Sequence, residues 1–374
     1  MANTLETKTP EQLTAALQSY NSYMCEIPAS FTVLDEYLHG LTANEFCGAF
    51  KALQEIVTDI YEYLRENPQA VGLVKTDKKT GELKVQTSQH ISCVKKLLYV
   101  IGRFSTLKEN TLTVYMENLM NAYMTYYPNI SVELAETINE YDIEKQRKFF
   151  EAKHMRSVFA CLEKFGFEID GLDAEKIVVC YPENPPVMTV IKAFATPRVC
   201  RISFGFDFTK FNYRVFAHKT DAALPLEDLY SFQLLSNEHK KFLQALNQAM
   251  NAAGASYGEC ADGWYNGTLP CQYIYRNKVR VMQNIEGGLN PYVVGAAGKQ
   301  RDKQKPKRIK YIETLPDEYQ DIVAKCGFCR KGKDCDWRYI FSGKEKKHAK
   351  CVGGWWYFPP TKVAVPYIVE AYKI

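Results

Sequence analysis

The sequence predicts an α+β protein in three parts: a helical N-terminal domain over residues 1–150, a small mixed α/β module over 151–215, and a C-terminal α+β domain over 216–374 with a four-cysteine metal staple. Three observations predict it. Apolar residues recur at helical spacing through the first part, helix and strand patterns alternate after it, and four cysteines crowd the last 50 residues. A chain of 374 residues with 46% hydrophobic and 24% charged residues is long enough for two or three cores and excludes a wholly disordered chain. The N-terminus lacks a basic-then-apolar leader and no apolar run reaches the ~18 residues that span a bilayer, so a soluble, cytoplasmic protein without a membrane partner is expected.

The elements follow in order. Thr9-Pro10-Glu11-Gln12 is a capping box with proline at the first helical position, and Leu13, Ala16, Leu17, Tyr20 and Met24 continue at helical spacing. Thr42 with Glu45 opens a second helix, whose stripe of Phe46, Ala49, Phe50, Leu53, Val57, Ile60 and Leu64 runs until Asn67-Pro68 stops it. Residues 71–87 alternate around Lys79-Thr80-Gly81 as an inserted hairpin. Cys93, Leu97, Val100 and Ile101 make one further helical face, and Leu112, Met116, Leu119 and Tyr123 another, completing a helical bundle.

In the middle module, residues 154–165 read as a helix ended by Gly166. A short strand, a turn at Asp170-Gly171 and the β-rich run Ile177–Pro182 follow. A helical run at 187–195 then precedes a strand over 199–208, with Ile202, Phe204, Phe206 and Phe208 on one face. This alternation resembles a winged helix, and equally a small ligand-binding or protein-binding module, since the segment has little excess positive charge. The C-terminal domain opens on a helix over 238–254 closed by Gly254. Strands on either side of Asn277-Lys278 and a third at 291–295 come next, then a basic connector.

The cysteine cluster carries the most specific chemistry. Cys326 and Cys329, two residues apart, can face one ion, and Cys335 and Cys351 supply two further thiolates for a closed tetrahedral zinc site. Such a site is structural, because no coordination position is left for substrate. His348 is a substitute ligand for one cysteine. An iron–sulfur cluster uses the same four thiolates, but their spacing matches neither common ferredoxin pattern. A redox pair at Cys326 and Cys329 is disfavoured because both follow an expected helix at 315–325, whereas a helix start is what stabilises thiolate. Cys335 precedes one expected strand, and Cys351 lies on another that reaches Trp355-Trp356. The other eight cysteines are scattered, without the dense framework of a secreted disulfide domain, and are expected to be reduced.

Residues 299–350 hold 16 Lys and Arg against 8 Asp and Glu, a local net of +8 in a chain of net +4. Lys299, Arg301, Lys303, Lys305, Lys307, Arg308 and Lys310 therefore have the charge to contact nucleic acid or an acidic partner. Tyr311, Trp337, Tyr339, Trp355 and Trp356 are nearby aromatics able to stack on bases. A solvated basic linker and aromatics in sheet core are the bland equivalents. No catalytic residue is indicated: residues 295–300 lack the first glycine and the final Ser or Thr of a phosphate-binding loop, and the metalloprotease, hydrolase-elbow and dinucleotide motifs are absent. The sequence thus reads as a zinc-stabilised binding or regulatory protein whose helical domain binds a protein or a second copy. The alternative is an enzyme or small-molecule-binding protein with a cleft between middle and C-terminal modules, lined by some of the 25 Tyr and 20 Phe.

Overall fold

A computed structural model of the chain describes residues 12–15, 17–18, 24–76, 79–81, 83–85, 92–119, 154–197, 206–222, 224–258, 263–265, 278–283, 289–294, 301–316, 319, 338–339, 350–351 and 356–373. The architecture is mixed helix and strand with antiparallel sheets, as an α+β class requires. The chain divides into two units, Met1–Tyr230 and Ser231–Ile374.

In the first unit, helix α1 (Ala43–Glu66) starts where the sequence places it. The Thr42 hydroxyl accepts the Glu45 N–H at 3.3 Å and the Glu45 carboxylate accepts the Thr42 N–H at 2.7 Å, so two orphan donors are satisfied reciprocally. Its end is equally local: both the backbone and the side-chain amide of Asn67 donate to the Tyr63 carbonyl, and Pro68 cannot continue the helix. The expected hairpin is present as β1 (Val74–Thr76) and β2 (Leu83–Val85).

Helix α2 (Cys93–Phe104) and helix α4 (Pro186–Phe194) pack against each other, and α1 packs on α4. Helix α3 (His154–Lys164) contacts α2 and inserts Val158, Phe159 and Leu162 into the same core. Phe216 is the centre of an aromatic cluster, with ring centroids of Phe46 at 4.9 Å, Phe50 at 5.2 Å, Phe194 at 5.3 Å and Tyr37 at 5.3 Å. These five aromatic rings are core side chains, all buried.

Two sequence expectations change here. Leu112 belongs to a strand: β3 (Thr106–Lys108) and β4 (Thr111–Tyr115) form a hairpin in which Glu109 and Asn110 both have positive φ, as a two-residue turn of the favoured twist demands. Helical spacing misleads at Leu112 because the following segment, 116–119, is helical and continues the pattern. The same hairpin joins a larger sheet. Strand β4 pairs with β6 (Lys176–Cys180), which pairs with β5 (Glu168–Asp170), giving one antiparallel sheet in the order β3-β4-β6-β5. Leu112 faces Val179 and Val114 faces Ile177, all four buried, so the inward face of this sheet is made jointly by β4 and β6. The turn at Asp170-Gly171 is as expected, with Gly171 at φ +81° and a would-be Cβ 2.2 Å from the Lys176 carbonyl oxygen. Of the strand expected over 199–208, residues 206–208 are instead part of a one-turn helix, Phe206–Thr209; residues 198–205 lie outside the described residues.

The second unit is built on helix α5 (Asn237–Ala252), capped by the Ser236 hydroxyl accepting the His239 N–H at 3.3 Å. Its sheet runs β13-β10-β9-β8-β7, from β7 (Ser256–Gly258), β8 (Gly263–Tyr265), β9 (Lys278–Gln283), β10 (Leu289–Val294) and β13 (Trp356–Tyr357), every pair antiparallel. The expected basic connector is helical, forming α6 (Arg301–Thr314) with Pro306 inside it. Proline there forfeits the bond its N–H would give to residue 302, a cost the burial of Arg308, Ile312 and Leu315 offsets. The C-terminal helix α7 (Val365–Lys373) packs on α5 and on β9 and β10. A separate pair, β11 (Arg338–Tyr339) and β12 (Lys350–Cys351), completes the described elements. Among the described residues, no helix is long and apolar enough to cross a membrane.

Candidate functional site

Chemistry concentrates in two places, one per unit. In the first unit, the chain after the one-turn helix Phe206–Thr209 reverses at Lys210-Phe211-Asn212, and Phe211 holds φ at +56°. A left-handed conformation at a bulky residue costs roughly 1–2 kcal/mol and persists only where its surroundings over-determine it. Here they do. Phe211 is buried against Phe50 and Phe194, and the Asn212 N–H returns to the Asp207 carbonyl at 2.9 Å.

Asn212 is the hub. Its side-chain amide donates to the Asp207 carboxylate at 2.7 Å and to the Asp228 carbonyl at 2.8 Å, while its Oδ1 accepts from the Arg214 guanidinium at 3.4 Å. The same guanidinium reaches the Cys25 sulfur at 3.9 Å. Cys25 is fixed from both sides: its N–H donates to the Lys210 carbonyl at 2.8 Å and its carbonyl accepts the Gln54 side-chain amide at 2.8 Å. A few residues on, His218 Nε2 lies 2.8 Å from the Asp228 carboxylate, and the Tyr37 hydroxyl donates to the His218 carbonyl.

Two amines complete the cluster. Lys95 projects from α2 and is 0% exposed, with Nζ 5.1 Å from the Tyr61 ring centroid and 5.9 Å from that of Phe211. Lys210 is 9% exposed and its Nζ lies 5.7 Å from the Tyr230 ring centroid. Burial drives the Lys95 ammonium well below the usual lysine range, and the positive charge of Lys210 drives it further. Burial brings Lys210 down to about 8, opposed only in part by Cys25. The Cys25 thiol moves the other way, up to about 11, because desolvation outweighs the attraction of Arg214. At neutral pH the thiol is therefore protonated, and the amines are far less basic than on the surface.

Sequence reading missed this cluster. The available signal was a lysine in the apolar run Val94-Lys95-Lys96-Leu97-Leu98, where a helix buried nearly all round leaves no solvent for one of the two ammonium groups.

In the second unit, α6 sorts its cations. Arg308 is only 4% exposed, with its guanidinium 4.0 Å over the Trp356 ring, and Trp356 in turn stacks on Tyr311 at 5.5 Å and 12°. Arg308 and Trp356 are thus core groups, which removes both from the basic and aromatic surface the sequence suggested. Lys307 and Lys310 stay exposed and Lys305 half-exposed. Of Arg301 and Lys303 only the backbone is described, and Lys299 lies outside the described residues. Cys326, Cys329, Cys335 and His348 also lie outside them, and Cys351 is described only as backbone in β12, paired with Arg338. Among the described residues, no group of three or more His, Cys, Asp or Glu side chains could hold a metal.

No known protein family, curated protein or solved structure matches this chain.

Proposed function

We propose that the C-terminal unit is a zinc-stapled module that binds nucleic acid through the outer face of α6, with Lys307 and Lys310 at its centre. The observation that carries this reading is the division of labour along α6. A helix that buries Arg308 and Ile312 becomes a rigid platform, and its exposed side then holds cations at fixed spacing. Lys307 and Lys310 are three residues apart, neighbours on one helical face. The net of +8 over residues 299–350 extends the same field. Single strands and duplexes both present the phosphates that such a face attracts, and the contacts are read out by salt.

Zinc belongs to the reading because of where Cys351 falls. Arg338 pairs with Cys351 in β11 and β12, and in the sequence Cys335 stands three residues before Arg338, which keeps these two thiolates in the proposed ligand set. Cys326 and Cys329 would supply the remaining thiolates, with His348 as substitute, and the bound ion contributes folding free energy on the order of 10 kcal/mol to a turn-rich segment.

A mobility-shift titration across a salt series tests the nucleic-acid reading. Wild type should bind with a strong inverse salt dependence, and Lys307→Glu combined with Lys310→Glu should lower the log–log slope by about 2, each lost phosphate contact removing roughly 0.9. Absence of binding at low salt overturns it. Metal analysis of protein purified anaerobically should return one zinc per chain, lost on changing Cys326 and Cys329 to Ser; metal-free wild type overturns the staple.

A further inference from the structure

The residues of α6 divide by chemistry as well as by exposure. Resting on the nucleic-acid reading above, we infer that its outer face takes duplex in preference to single strands and holds it by phosphates alone, without reading base sequence, through Lys303, Lys307 and Lys310.

Helical spacing sorts the cations. Lys303, Lys307 and Lys310 recur at i, i+4 and i+7 within α6, a spacing that keeps three positions inside an arc of about 60° and along about 10 Å of helix axis. Lys307 and Lys310 are exposed, on the side away from buried Arg308 and Ile312. Lys305 falls by the same spacing on the Ile312 side, where it is only half-exposed. The outer stripe is therefore lysine.

Residue types able to read bases lie on the inner side. Arginine to guanine and glutamine to adenine are the bidentate contacts that carry sequence information. Arg308 is committed to the Trp356 ring at 4.0 Å, and Arg301 and Gln304, seven and four residues before it, occupy the same face of the helix. The two aromatic rings beside them are engaged as well: Tyr311 and Trp356 stack on each other at 5.5 Å, and the Tyr311 hydroxyl donates to the Tyr367 carbonyl. On the outer side the Thr314 hydroxyl is turned back to the Tyr311 carbonyl at 2.7 Å. A lysine stripe without these groups meets phosphate oxygens as a row of point charges, which positions a nucleic acid but carries no sequence information. Duplex is favoured because two strands give the denser array of phosphates, whereas single strands are held in large part by bases stacked on aromatic rings.

Fluorescence anisotropy on the full chain, with two duplexes of unrelated sequence and an oligothymidine of the same length, tests this. The two duplexes should bind within about 3-fold of each other, far short of the ~1,000-fold or more that separates specific from non-specific sites in proteins that read sequence. Both should bind at least ~10-fold tighter than the oligothymidine, which finds no stacking platform on the stripe. Lys303→Ala should lower the log–log salt slope for duplex by about 0.9, the share of one phosphate contact, while Lys305→Ala leaves it unchanged. Lys303→Gln should act as Lys303→Ala does, and decides the point if circular dichroism shows the alanine variant misfolded. A wider gap between the duplexes, or oligothymidine bound as tightly as duplex, overturns the inference and leaves the nucleic-acid reading standing. An unchanged slope in the Lys303 variants overturns the three-lysine stripe, and no binding of any probe at low salt overturns the nucleic-acid reading itself.

Discussion

Gly102 shows how little freedom a single position has in the first unit. A Cβ there would sit 2.5 Å from the Ile191 carbonyl oxygen and 2.9 Å from the Ala195 Cβ, so α2 and α4 approach as closely as they do only because the side chain is absent. The obstacle is backbone, which cannot rotate away. Gly102→Ala should therefore destabilise the unit by about 1–3 kcal/mol despite the better helix propensity of alanine, because overpacking at a backbone contact exceeds that gain. Urea denaturation would register this as a lower midpoint with an unchanged slope; a neutral or raised midpoint would mean the helices separate freely. Nearby, Lys192 performs a different local task. Its ammonium donates to the Ser105 carbonyl at 2.6 Å, satisfying a carbonyl just past the C-terminus of α2 that the helix itself leaves without a partner.

At the scale of elements, the β3–β4 turn carries a residue that does not suit it. Glu109 takes φ +50° and Asn110 φ +57°, and although asparagine tolerates that region, glutamate does not. Asn110 is also held in place by the Thr189 hydroxyl, which donates to its Oδ1 at 2.8 Å and ties the turn to α4. Glu109→Asn should stabilise the unit by roughly 0.5 kcal/mol, visible as a small rise in thermal midpoint, whereas Asn110→Ala should lower it by losing both the conformation and the bond. Elements of this kind explain what was legible. Where local chemistry fixes a boundary, as at Thr42-Glu45, Asn67-Pro68 and Asp170-Gly171, sequence and structure coincide. Where pairing partners are distant they do not: nothing near Leu112 announces that its strand lies beside Val179, and helical periodicity fits five-residue β4 by accident. The 299–310 segment failed for a related reason. Its run of positive charge reads as a connector, yet Arg308 and Ile312 are buried, Arg308 over the Trp356 ring, in surroundings that only tertiary structure supplies. The buried amines were illegible on the same ground, since desolvation depends on what covers a lysine.

Over the whole molecule, charge is disposed differently among the described residues of the two units: the second keeps Lys307 and Lys310 exposed on α6, while the first buries Lys95 and Lys210. Burial of that kind makes stability depend on pH in a direction that can be worked out. Lys96 and Lys210 are each brought down to about 8 in the folded chain from an ordinary 10.5, and burial brings Lys95 well below that ordinary value too. Between pH 8 and 10.5 the unfolded chain therefore holds more protons on these lysines than the folded one does, and stability rises with pH. The thiols act oppositely. Cys25 and Cys161 move up to about 11 and Cys93 to about 12 from an ordinary 9.0, so above pH 9 the unfolded chain loses thiol protons that the folded chain keeps. The lysines act alone from pH 8 to 9, and the first unit should gain about 1–3 kcal/mol there before the gain levels off. Hydrogen exchange resolved by peptide is the appropriate measurement, because it separates the units: protection in α1, α2 and α4, corrected for intrinsic exchange, should increase from pH 8 to 9 and then flatten. Lys95→Met should shrink that increase, since a methionine fills similar volume without an amine to desolvate. A decrease from pH 8 to 9 in wild type would mean the three lysines keep their protons in the folded chain, and the electrostatic account of the amine cluster would fail with it.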